Sequence, residues 1–242
     1  MKLALKPLTA TVLVATALHA GAAFTQTTHT PASPKAGIAP PVSTPAAAGK
    51  ADPLAGGAEI FENLTESAPT LNAATFKKSL SDFETLYPDI SRRLSPDRKQ
   101  HLDRLVTDVR SAWQKGDRAS MAIQSIEAYR VLQEAIDHGA QPVPVEVPLL
   151  DYAGFKLDAL LLSTQVDWKQ VASTAQEAST WWTAIGPKVT DMALRNAMDH
   201  TIDGIKDAAA RKDRKFLSFA AKMDLILVDG LEKFFTSHTP PR

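Results

Sequence analysis

Asp151 and Asp158 stand seven residues apart in a stretch, residues 148–165, that is otherwise rich in Leu149, Leu150, Ala153, Phe155, Leu157, Leu160, Leu161 and Leu162. At 3.6 residues per turn that spacing places both carboxylates on one helix face, with Gly154 between them near the same face. A helix that is apolar around most of its circumference belongs at the centre of a fold. A carboxylate on such a helix has to be paired, hydrogen-bonded or ligated, because an isolated charge is costly away from water. The chemistry this pattern suits is capture of a cation, either a divalent ion or a small cationic ligand. Glu127, Glu146 and Tyr129 are the candidate neighbours. The plainer reading, which the sequence alone favours, is that the acidic strip reaches solvent or is neutralised by Arg130 or Lys156.

Other constellations fail on spacing. No G-x-S-x-G, H-E-x-x-H, phosphate loop, G-x-G-x-x-G or calcium loop occurs. A di-iron bundle requires Glu three residues before His, whereas Arg98, Ala135 and Ala197 precede His101, His138 and His200. Asp199, His200 and Asp203 could ligate a metal by spacing alone. The stripe of Leu194, Met198, Ile202 and Ile205 puts them on the opposite, solvated face, and Asp97 with His101 reads the same way. The chain contains no cysteine, which excludes disulfides, thiolate metal sites and a Cys nucleophile. No catalytic residues can be assembled and no cofactor is indicated, so the reading is non-enzymatic, with any metal left unassigned.

Charge narrows the partners. Lys and Arg number 27, as do Asp and Glu. Removal of a leader holding Lys2 and Lys6 would leave 25 basic residues against 27 acidic ones. That balance gives no electrostatic footprint for nucleic acid or for an anionic membrane surface. The leader itself is read from basic Lys2 and Lys6, the uncharged run Leu8 to Leu18, and small residues at Ala20, Gly21 and Ala22. A run of that length suits a cleaved export signal and is too short for a membrane span. Residues 1–22 are therefore expected to be a signal peptide. The mature chain, with no integral membrane segment, is expected in the periplasm or outside the cell.

The elements that must position the acids follow. Residues 23–58 are dominated by Pro, Ala, Thr, Gly and Ser and are expected to form a disordered tether. Residues 59–237 are expected to form an all-α, antiparallel bundle of six or seven helices, with 238–242 as a flexible tail. Phe76, Leu80, Phe83, Tyr87, Ile90 and Leu94 mark one helix, with a kink or restart at Pro88. Ser95-Pro96-Asp97 opens the next and Gly116 closes it; Asp117 opens a third, ended by His138-Gly139. Residues 143–147, bracketed by prolines, could form a short extended strip. After the acid-bearing helix, Asp167 caps another, Gly186-Pro187 separates a further one, and Asp213 caps the last. The last helix carries a stripe of Phe216, Phe219, Ala220, Met223, Leu227, Leu231 and Phe234.

A weak internal repeat appears at an offset of 96 residues. The turn Gly116-Asp117-Arg118 falls on Lys212-Asp213-Arg214, and Asp103 falls on Asp199. If real, it makes two three-helix units joined through residues 148–165, with room for a ligand between them. The expected function is an exported accessory or interaction module that binds a protein partner. The alternative is a small-ligand or divalent-cation binder using the acids of the central helix.

Overall fold

The computed structural model describes residues 52–238. The expected leader, most of the tether and the last four residues lie outside the described residues. Eight α-helices and no strand occur among the described residues: α1 (Pro53–Glu66), α2 (Ala73–Arg93), α3 (Pro96–Gln114), α4 (Arg118–Gln133), α5 (Glu146–Leu161), α6 (Trp168–Ile185), α7 (Met192–Arg211) and α8 (Arg214–His238). None of them is long and apolar enough to cross a membrane.

Local chemistry sets most of the boundaries. Asp52, Asn72, Ser95, Asp117, Asp167, Asp191 and Asp213 each accept from a backbone N–H at the start of the helix that follows. Helix α2 continues through Pro88 instead of restarting. The same buried face, Phe83 and Ile90, runs across the proline and holds both halves on α1. The third helix of the sequence reading stops earlier than expected, at Gln133. His138 lies in a separate 3₁₀ turn, its Nε2 2.9 Å from the Gln133 carbonyl. No strip forms at residues 143–147, because α5 begins at Glu146 and takes Pro148 into its first turn.

Helix α1 is a correction to the tether assigned to residues 23–58, since it starts at Pro53. Leu54, Ala58, Phe61 and Leu64 are buried on it. Phe61 meets Phe83 edge-to-face with ring centroids 4.8 Å apart. Gly57 is the point of closest approach: a Cβ there would lie 2.7 Å from Ile90 Cδ1 and 3.3 Å from Leu132 Cδ1. Overpacking costs about 1–3 kcal/mol, and alanine in a helix interior returns about 1 kcal/mol of propensity. Gly57→Ala is therefore expected to lower stability by about 1 kcal/mol in urea denaturation. A gain in stability would contradict the close packing of α1.

Helix α8 is rotated relative to the expected stripe. Its buried face is Leu217, Ala220, Ala221, Asp224, Val228, Leu231 and Phe235. Phe219 is 59% exposed and Ile226 62% exposed. The small residues Ala220 and Ala221 lie on the inner face, and the rings of Phe216 and Phe219 are left outside.

Similar polar contacts occur in the two halves of the bundle, and helical periodicity does not produce them. Tyr87 on α2 donates to Asp103 on α3; Trp182 on α6 donates to Asp199 on α7 at 2.6 Å. Arg118 donates to the Leu71 carbonyl at 3.0 Å, and Arg214 to the Leu161 carbonyl. The turns match as well. Gly116 (φ 71°) and Lys212 (φ 56°) both adopt the left-handed conformation. The Asp117 and Asp213 N–H groups donate to Ala112 and Ala208, each at 2.9 Å. Neighbour relations agree in part: α1 packs on α2 and α4, and α4 on α3, while α5 packs on α6 and α8, and α8 on α7; α6 also packs on α7 more extensively than α2 does on α3. The helix expected to join two units thus takes the place in the second unit that α1 takes in the first. Helix α5 also packs on α4 and α1, which ties the units together.

Candidate functional site

Helix α5 is the hub. Its buried residues include Val147, Leu149, Leu150, Tyr152, Ala153, Leu157 and Leu160, directed into cores shared with α4, α6 and α8. The remaining strip is Asp151, Phe155 and Asp158, and it forms the floor of a cleft of about 660 Å³. Helix α1 supplies one wall through Glu62, Thr65 and Glu66. Helix α8 supplies the other through Lys222, Leu225, Ile226 and Asp229. Pro69, Leu162 and Arg214 are among the other lining residues.

The structure places the sequence-derived candidates as follows. Asp151 and Asp158 line the cleft, and the Tyr129 hydroxyl reaches Asp151 Oδ2 at 3.3 Å from beneath. The same hydroxyl is 3.3 Å from the Pro148 carbonyl, so its single proton is shared between two acceptors. Glu127 is not part of the cleft. It pairs with Lys156 Nζ at 2.6 Å and accepts from the Tyr152 hydroxyl at 2.9 Å. Glu146 begins α5 and does not line the cleft either.

The two bases expected to neutralise the strip are engaged elsewhere. Arg130 pairs with Glu134 at 2.8 Å and Glu177 at 3.0 Å, with its guanidinium over the rings of Tyr152 and Trp181. Lys156 is held by Glu127. Asp151 is thus left without a cationic partner among the described residues. Asp158 differs: burial raises its affinity for a proton and the Lys222 charge opposes that.

Several acids surround Asp151 that sequence reasoning missed. Glu62 comes from α1, and Asp224 and Glu232 come from α8, whose Asp229 lines the same cleft. Burial first, and then the charges of Glu62, Asp224 and Glu232, hold Asp151 well above the usual carboxylate range. Burial and the neighbouring Glu232, Glu66, Glu59 and Asp229 push Glu62 up to about 7. Asp224 is fully buried with no hydrogen-bond partner, and burial alone holds it well above the usual range. Its signal was legible: Leu217, Ala221, Asp224, Val228 and Leu231 are spaced by four and three, so an aspartate occupies a core position.

An acidic, partly apolar cleft with an unpaired carboxylate on its floor suits an ammonium or guanidinium group joined to an apolar body. Among the described residues, no three His, Asp or Glu side chains are grouped so as to hold a metal ion. Comparison with family models, curated proteins and solved structures finds no match.

Proposed function

We propose that the chain is an exported binding protein for small organic cations, held between α1 and α8 over the acidic strip of α5. The observation that supports this most strongly is Asp151, a carboxylate on the cleft floor with a shared tyrosine proton as its one direct partner. A ligand ammonium would supply the missing counter-charge, and Phe155, Leu225 and Ile226 would cover its apolar body. Export is supported by the basic, apolar and small-residue segments at the start of the chain.

Calorimetric titration with n-butylammonium and butylguanidinium tests the reading, with 1-pentanol as the uncharged control. Both cations are expected to bind and the alcohol is not. Asp151→Asn is expected to weaken cation binding by about tenfold or more, the worth of one charge-assisted contact. Affinity should also rise from pH 6 to pH 9. The anionic carboxylates hold the cation, and Glu62 loses its proton near pH 7 while Asp151 loses its own above the usual range. Equal binding by Asp151→Asn, or binding that strengthens toward acid, would contradict the proposal.

A second reading, an interaction module for a protein partner, draws on the exposed Phe219 and Ile226 of α8. It would be favoured by a chain that binds neither cation.

A further inference from the structure

Asp224 plays no part in the fold that its position explains. It sits on the inner face of α8 at 0% exposure, accepts no hydrogen bond and pairs with no base. A buried carboxyl with no partner destabilises the folded state, so its place in the core calls for a compensating use.

Its surroundings indicate that use. Asp224 Oδ2 lies 2.9 Å from where a Cβ on Gly154 would stand, and Gly154 falls between Asp151 and Asp158 on α5. Leu225 Cδ2 and Cγ lie 2.7 and 2.9 Å from the same point. Leu225 also lines the cleft, which Asp224 does not. The isobutyl group of Leu225 and the carboxyl of Asp224 therefore fill, side by side, the space left by a residue that has no side chain. Leu225 is thus the side chain that stands at both the cleft and the buried carboxyl. The Asp224 charge already acts on Asp151, so the two carboxyls belong to one electrostatic site.

We propose that Leu225 gates a deeper acidic subsite at Asp224, so that the cleft accepts an organic dication: one ammonium held at Asp151 and Glu62, the second at Asp224 once Leu225 turns aside. This rests on the organic-cation reading and adds the substrate class, a diamine. A lone ammonium occupies the outer position and leaves Asp224 covered. A second ammonium on the same chain supplies the counter-charge that the buried carboxyl lacks.

The test is a titration series at pH 8. Unbranched α,ω-diaminoalkanes of three to six carbons are compared with n-alkylamines of equal length. The proteins are the unaltered chain, Asp224→Asn and Leu225→Ala. The unaltered chain is expected to bind its best diamine about tenfold or more tightly than the matching monoamine. Asp224→Asn should erase that margin, read as the ratio of diamine to monoamine affinity within the same protein. Leu225→Ala should keep or widen the margin and speed diamine association. This arm decides the matter even if Asp224→Asn fails to fold, because a margin that narrows in Leu225→Ala would overturn the gate. A margin that persists in Asp224→Asn would overturn the subsite. Monoamines that bind through Asp151, with no diamine margin, would remove the subsite and leave the organic-cation reading standing. Failure of every amine to bind the unaltered chain would remove both.

Discussion

Phe61→Ala is expected to lower the folding free energy by about 3–5 kcal/mol, the usual loss for emptying a fully buried phenylalanine site. Phe61 has no exposed surface and stands against Phe83 in the core cluster of the first unit, which also holds Leu64 and Leu132. Helix α1 is joined to α4 by a polar contact as well, the Thr65 hydroxyl lying 3.3 Å from the Ala122 carbonyl. A loss of this size cannot be absorbed by a segment that is merely tethered. Urea denaturation followed by far-ultraviolet circular dichroism reads it directly. A loss below about 1 kcal/mol, typical of surface positions, would return residues 53–66 to the linker. It would also remove one wall of the cleft.

Asp224→Ala is expected to act in the opposite direction, raising stability at pH 8 by about 1–3 kcal/mol, the desolvation cost of an unsatisfied buried polar group. Most large-to-small changes in a core destabilise, so the sign alone is diagnostic. The pH dependence follows from the direction of the shift. The folded chain holds the Asp224 proton far more tightly than the unfolded chain does. Its contribution is therefore fully favourable below the usual carboxylate pKa, about 4. It is lost as pH rises toward the elevated folded value. Glu62, pushed up to about 7, and Asp151 act in the same sense. The unaltered chain should thus be more stable near pH 5 than near pH 8, and Asp224→Ala should flatten that slope. Thermal denaturation across this range measures both. A destabilised Asp224→Ala with an unchanged slope would show that the carboxyl has a partner in solution.

These acids also mark where the sequence was legible and where it was not. The central position of α5 could be read because its apolar residues surround the helix, and Asp151 and Asp158 stand out against them. Helix α1 was hidden by Gly56-Gly57, which resemble linker composition. Gly57 is instead a packing glycine, required where α1 meets Ile90 and Leu132. The face of α8 is poorly legible because bulk and burial part company along it. Phe216 and Phe219 outweigh Ala220 and Ala221 in any hydrophobic pattern, yet the inner face carries the small residues. The repeat was faint because its strongest evidence is polar. An aromatic donor to Asp103 or Asp199, and an arginine reaching back to an earlier carbonyl, leave little trace in an apolar stripe. The meeting of Glu62 with Asp151 depends on α1 and α8 standing apart over α5, a tertiary fact with no local signature.

A crystal structure of the chain saturated with n-butylammonium would locate the resting place of a small organic cation. The expected result is an ammonium within hydrogen-bond distance of the Asp151 carboxylate, with its alkyl chain against Phe155 between α1 and α8. An empty cleft at saturating amine, or an amine seated instead on the exposed Phe219 surface of α8, would contradict the assignment of this cleft as the binding site.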